Sequence, residues 1–195
     1  MTSVPKRYLT SEEYLAKERK ADDKSEYFQG ETFAISGASR EHNLIAGNIN
    51  REAGNQLRNR PCEVYQSDMR VKVSRTGLYT YPDVVIACGK PQFEDAEVDT
   101  LLNPTVLFEV LSETTEDYDR GKNSAHYRTL PSLQEYVLVA QDKCHVEQFT
   151  RQPDNRWLLW ETDDLESVLN LPSVSCQLKL TDVYAKVTFA APPGA

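Results

Sequence analysis

The chain has no apolar run approaching the roughly 18 residues that a membrane span requires, so no membrane-spanning helix is predicted. Its first twenty residues, MTSVPKRYLTSEEYLAKERK, lack the apolar core of a secretion signal and read instead as an amphipathic helix. The expected location is the cytoplasm. Cysteine is scarce: Cys62, Cys88, Cys144 and Cys176 lie far apart, with no CxxC pair and no Cys/His ligand spacing, which argues against a zinc site. Without a signal a disulfide framework is not expected, and all four thiols are predicted to be small buried hydrophobes. There is no internal repeat, low-complexity tract or dividing linker, so one domain is expected over 1–195, with a helix in 1–20 and a frayed tail at 190–195. Helix-turn-helix, zinc-finger and RNA-recognition signatures are missing. Ser112, His126 and His145 make no nucleophile–base–orienter pattern, which leaves a hydrolase triad without support.

What is present is an ordinary soluble balance, 39% hydrophobic and 27% charged in 195 residues, enough chain to bury a core without staples. The net charge of −8 is unevenly placed. Residues 90–119 hold nine acids (Glu94, Asp95, Glu97, Asp99, Glu109, Glu113, Glu116, Asp117 and Asp119) against Lys90, so this window alone accounts for the excess. Residues 51–75 carry Arg51, Arg58, Arg60, Arg70, Lys72 and Arg75 against Glu52, Glu63 and Asp68, a local +3 that predicts a basic stripe on one helix and the strand after it.

Thr10-Ser11-Glu12-Glu13 predicts a helix start with an acidic first turn. Residues 26–35 around Gln29-Gly30 predict a β-hairpin. Ser39 caps a helix over about 40–58, whose apolar residues Leu44, Ile45, Ile49, Ala53 and Leu57 recur at helical spacing, and Pro61 closes it. Strands are predicted near 63–73, 79–87, 105–111, 135–139, 144–150 and 156–161. Helices are predicted at 119–130 and 180–187. This order predicts an α/β (α+β) fold, a mixed central sheet flanked by helices.

Two carboxylates interrupt the strand pattern. Asp83 opens Val84-Val85-Ile86, and Glu109 sits inside Thr105–Leu111, both runs apolar enough for central strands. A carboxylate so placed must be neutralised, paired or metal-bound, because an unpaired buried charge costs several kcal/mol. Two brought together raise one another's pKa unless a cation intervenes, and Mg²⁺ accepts one or two carboxylates while keeping waters. The alternative is that each simply pairs with an arginine or caps a loop.

Five ordered segments extend the pattern: Pro82-Asp83, Glu109-Val110-Leu111-Ser112, Asp119-Arg120-Gly121-Lys122, Tyr127 and Glu135-Tyr136. Together they resemble the Uma-two family, a branch of the PD-(D/E)XK restriction-endonuclease-like superfamily. The resemblance runs from about Glu26 to Trp160. It implies a restriction-endonuclease-like core and a Mg²⁺-dependent phosphodiesterase site (Mn²⁺ as substitute), with Asp83, Glu109 and the Val110 carbonyl as metal ligands. Where the superfamily places a lysine two residues after the glutamate, this chain has Leu111, and Lys122 looks like the migrated lysine of this branch; Lys72 is the other candidate. The same resemblance brings Glu26 and His42 to the site as supporting residues. Asp68 is a further candidate, as a turn residue or an acceptor behind the site.

The implied activity is Mg²⁺-assisted cleavage of nucleic acid, DNA more than RNA. A chain at −8 gains little from counterion release, so a homodimer pooling two basic patches is expected. Two other readings remain open at this point: an inactive nuclease-fold binding or assembly module, and a metal-dependent hydrolase of a small phosphorylated molecule.

Overall fold

The structure is a computed structural model and describes residues 8–112 and 116–189. The expected frayed tail at 190–195, the first residues of the expected N-terminal helix and Glu113 of the acidic run lie outside the described residues.

Helix α1 (Ser11–Glu18) starts on a reciprocal cap: the Thr10 hydroxyl accepts from the Glu13 N–H, and the Glu13 carboxylate accepts from the Thr10 N–H. It buries Tyr14 and Leu15 against Tyr27 and Tyr79. The hairpin follows as β1 (Ser25–Phe28) and β2 (Glu31–Ala34), turned at Gln29-Gly30. Both turn residues have positive φ, 50° and 88°, which a two-residue hairpin favours. At Gly30 a Cβ would also lie 2.6 Å from the Tyr8 Cβ, so only glycine fits.

Helix α2 (Arg40–Leu57) is capped by Ser39 and presents Ile45, Ile49, Ala53 and Leu57 on one buried face. After it come β3 (Cys62–Gln66), β4 (Arg70–Val73), β5 (Leu78–Thr80), β6 (Val84–Cys88), β7 (Thr100–Leu101) and β8 (Val106–Leu111). An irregular helix then spans α3 (Glu116–Tyr118), a π-helical turn (Asp119–Asn123) and α4 (Ser124–Tyr127). It leads to β9 (Glu135–Ala140), β10 (Val146–Arg151), β11 (Trp157–Thr162), the hairpin β12 (Val168–Leu171) and β13 (Cys176–Lys179), and α5 (Leu180–Val183).

The main sheet has the order β11-β10-β9-β8-β6-β3, with only β8 and β9 parallel, joined by the irregular helix as crossover. Every residue of β8 and β9 is buried, because this sheet is covered on both faces and its central strands need not alternate. One face carries Val84, Ile86, Phe108 and Val110 against α2 and the β12–β13 hairpin. The other carries Val85, Leu107, Leu111 and Tyr136 against Val71, Leu78 and Tyr127. A second sheet, β2-β1-β5-β4-β7, stands beyond that second face. The mixed α+β architecture agrees with the pattern of predicted elements.

Two expectations are corrected. Cys62 and Cys88 are not separate buried thiols: they face each other across the antiparallel β3–β6 pair, with Cα atoms 4.0 Å apart, and form a disulfide. Strand register creates that neighbourhood, which a 26-residue spacing does not reveal. The basic stripe is reduced as well. Arg70 is buried beside Tyr81 and Thr100, Lys72 pairs with Glu94, and Arg51 with Glu52. Arg58, Arg60 and Arg75 stay exposed.

Candidate active site

The antiparallel register of β6 and β8 pairs Val84 with Phe108 and Val85 with Leu107, so one step beyond Val84, Asp83 falls opposite Glu109. Like charges directly opposite one another destabilise a sheet, and the surrounding groups show how these two are held. The Asp83 carboxylate accepts the Val110 N–H through Oδ2 at 2.7 Å, and its Oδ1 lies 2.8 Å from Nε2 of His42 on α2. The Asp83 N–H reaches Glu109 Oε2 at 3.4 Å. Glu109 Oε1 accepts from the Tyr127 hydroxyl at 2.7 Å and from the Asn123 amide at 3.4 Å. A strand residue sends its N–H and C=O to the same side, so the Val110 carbonyl also faces Asp83.

Glu26 joins from β1. One oxygen accepts from the Thr80 hydroxyl and the other from Tyr118 at 3.4 Å. Burial raises its pKa. The Glu109 pKa is raised much further, first by burial and then by the charges of Asp119, Asp83 and Glu26. Burial also pushes the Tyr127 hydroxyl well up, so it stays a donor to Glu109.

These groups line a cleft of about 750 Å³. Among the described residues six carboxylates (Asp22, Asp23, Glu26, Asp83, Glu109 and Asp119) face it, against one lysine, Lys24, whose ammonium is bound to the Ser67 carbonyl and Asp68. Asp68 is exposed and acts as the partner of Lys24. Asn123 is buried, donates to Asp119 and Glu109, and keeps a buried Oδ1 with no hydrogen-bond partner among the described residues. A cleft with this charge and an orphan amide oxygen beside two opposed carboxylates has the donor set of a hard divalent cation.

The structure thus brings together Asp83, Glu109, Val110, Glu26 and His42. It places two other sequence candidates elsewhere. Lys122 is exposed and is not among the residues lining the cleft. Lys72 lies on β4, bound to Glu94 beneath the Tyr79 ring. Residues that sequence reasoning missed are Asn123, Asp119, Tyr118, Thr80 and Lys24. The signal for two of them was available: Asp119, Asn123 and Tyr127 recur at intervals of four, one face of a helix. Lys122 is one step off that face.

One further group has metal-ligand proximity among the described residues: ligand atoms of His145, Glu147 and Glu161 lie within 4.8 Å of one another. Arg120 already pairs with Glu147, and Asp163 with His145, so two of its three members are engaged by neighbouring side chains.

Residues 11–182 match the Uma2 family model, described as "Putative restriction endonuclease". The chain is 37% identical over 161 residues to "Uncharacterized protein sll1609" of Synechocystis sp., covering 83% of this chain and 91% of that one. It is 31% identical over 187 residues to "Uncharacterized protein slr1290" of the same organism, covering 96% and 97%. Among solved structures it is similar to a protein from Anabaena variabilis described as a "putative nuclease belonging to DUF820", with a TM-score of 0.74, 17% identity, and coverage of 92% of this chain and 99% of that one.

Proposed function

The chain belongs to the Uma2 family, and from that premise we propose that its cleft is a Mg²⁺-dependent nuclease site that hydrolyses phosphodiester bonds, with DNA preferred to RNA and a homodimer as the working form. The observation that carries this reading is the opposition of Asp83 and Glu109 across β6 and β8, with the Val110 carbonyl on the same side. The donor set fits Mg²⁺ or Mn²⁺, and Asp83, Glu109 and Val110 are the residues that would hold it. When bound, the ion would supply Lewis-acid activation of water and neutralise charge on the phosphate.

The chain's own residues prepare that site. His42 and the Val110 N–H fix both oxygens of Asp83, so its carboxylate does not rotate away. Tyr127 fixes Glu109. Glu26 and Asp119 add negative charge, so an anionic phosphate enters this cleft only with cations. With six carboxylates and one lysine around the opening, the protein offers almost no counterion release of its own. Strict divalent-metal dependence is therefore the expected signature. Lys122, outside the cleft, takes no part in the step on this reading.

The place of Lys122 favours a second reading, in which the site binds metal and nucleic acid without cutting. Both are decided by incubating labelled single- and double-stranded DNA and RNA with the protein and Mg²⁺ or Mn²⁺, with Asp83→Asn as control. Metal-dependent cleavage lost in the control supports the nuclease. Retained binding with no cleavage under either metal supports the binding module.

A further inference from the structure

Strand β11 forms one edge of the main sheet, and three of its apolar side chains are exposed among the described residues. Leu158 is 60% exposed, Leu159 46% and Trp160 37%, and Trp157 is partly exposed beside them. Alternation along a strand accounts for one open row of side chains. Here Leu158 and Trp160 on one face and Leu159 on the other are open, while Trp157 packs on the core beneath the Arg151 guanidinium. Native sheets blunt such edges with proline, lysine, bulges or short strands. β11 has none of these: all six residues pair with β10 in unbroken register, and it contains neither proline nor lysine.

The backbone of this edge can be read residue by residue. The Arg151 N–H donates to the Gln134 carbonyl on the β9 side, and the Gln152 N–H to the Arg156 carbonyl on the β11 side. Main-chain groups alternate sides along a strand. Val146, Gln148 and Thr150 therefore face β11, and their partners Thr162, Trp160 and Leu158 face back toward β10. This leaves the N–H and C=O groups of Trp157, Leu159 and Glu161 pointing out of the sheet.

We propose that the protein self-associates by pairing β11 with β11 of a second copy, antiparallel, about a two-fold axis at Leu159. Only outward-facing residues can form the hydrogen-bonded pairs. Leu159 then meets Leu159 of the second copy, and Trp157 and Glu161 meet in both directions. Leu158 packs opposite Trp160, apolar against apolar. Charge selects the same orientation. The strand is preceded by Arg156 and followed by Asp163 and Asp164. Arg156 pairs with Asp154 and Asp163 with His145 within one copy; antiparallel pairing still sets Arg156 opposite Thr162 and diagonal to Asp164, whereas parallel pairing stacks arginine on arginine and acid on acid. The contact is self-complementary and closed, as a two-fold dimer requires. It joins two six-stranded sheets into one of twelve strands and removes the β11 edge.

This names the surface of the homodimer in the functional reading and does not depend on whether the cleft cuts. The test is mass in solution by light scattering across low to high micromolar concentration. The wild type is expected to be dimeric. Leu159→Pro removes an N–H that β10 does not use, at an edge where proline is tolerated, and Leu158→Lys places an ammonium in the apolar contact; both are expected to be monomeric. Leu159→Cys lies on the axis, where hydrogen-bonded antiparallel Cα atoms are about 5.5 Å apart, within disulfide range. It is expected to give a covalent dimer without reductant, and Leu158→Cys to give none. A monomeric wild type, a dimer surviving both Leu158→Lys and Leu159→Pro, or equal cross-linking of the two cysteine variants would overturn the inference. A wild-type monomer that still cleaves would end this inference and the homodimer part of the functional reading and leave the cleavage site standing; a dimer without cleavage would leave this inference standing and end the nuclease reading.

Discussion

Asp83 and Glu109 lie directly across from each other on neighbouring antiparallel strands, and the Asp83 N–H touches Glu109 Oε2 at 3.4 Å. After burial, the strongest influences that raise the Glu109 pKa are the charges of Asp119 and Asp83, with Glu26 adding to them. Opposed acids that served stability alone would carry a cationic partner, as Asp99 does with Arg19 at 2.7 Å. The opposition costs the fold free energy, and on the proposed reading a bound divalent cation would relieve it.

Removing either acid should therefore separate activity from folding. Asp83→Asn and Glu109→Gln are expected to abolish Mg²⁺-dependent cleavage and to weaken Mn²⁺ binding in calorimetry, while melting temperature holds or rises. Full cleavage by either variant would remove these acids from the mechanism.

The pH dependence has a definite sign. Glu109 has its folded-state pKa raised above the ordinary 4.5. The folded protein therefore holds that proton more tightly than the unfolded chain, so this group is neutral to stability at low pH and destabilises as pH rises through 4.5 toward the folded value. The metal-free wild type should lose melting temperature over that range more steeply than Glu109→Gln. Mg²⁺ should restore it, with a benefit that grows with pH. For a chain of this size each ~1 kcal/mol appears as roughly 2–4 °C. Parallel melting curves for the two proteins would contradict the assignment.

Much of this was legible in the sequence because local chemistry fixes it. Thr10 with Glu13, Ser39 before α2, and Gln29-Gly30 each carry their structure in adjacent residues. Asp83 and Glu109 stood out because a charge in an apolar run needs a reason. What sequence did not reveal depends on register or on local winding. The Cys62–Cys88 bridge and the burial of Arg70 follow from which strand lies beside which. The β12–β13 hairpin was not anticipated, its alternation at Leu169, Leu171, Cys176 and Leu178 being short and split by Pro172-Ser173. The lysine is the sharpest case. A count of 13 residues from Glu109 puts Lys122 within reach of the strand tip, but the π-helical turn at Asp119–Asn123 presents Asn123 to Glu109 and leaves Lys122 exposed.

That one-residue offset is itself testable. Lys122→Ala should leave cleavage within about twofold, as an exposed surface substitution does. Asn123→Lys should set an ammonium against Glu109 and Asp119, lower the Glu109 pKa, stabilise the metal-free protein at alkaline pH and weaken Mg²⁺ binding by competition. A collapse of cleavage in Lys122→Ala with unchanged melting temperature would restore Lys122 to the catalytic step.

His42 distinguishes a prepared site from two acids that merely meet. Its ring reaches from the first turn of α2 to Asp83 Oδ1 at 2.8 Å, while Val110 occupies Oδ2. The side chains of His42 and Asp83 are only 16% and 15% exposed, so the contact is largely shielded from water. A group that orients a metal ligand from behind commonly contributes about 10–100-fold in metal affinity or activity. His42→Ala should lose that much cleavage at sub-saturating Mg²⁺ and recover most of it at high Mg²⁺, because positioning is lost and the ligands remain. His42→Gln, whose Nε2 amide can still donate to Asp83 from the position of the imidazole Nε2, should fall less. Loss that no Mg²⁺ concentration repairs would instead make the imidazole a direct participant in proton transfer.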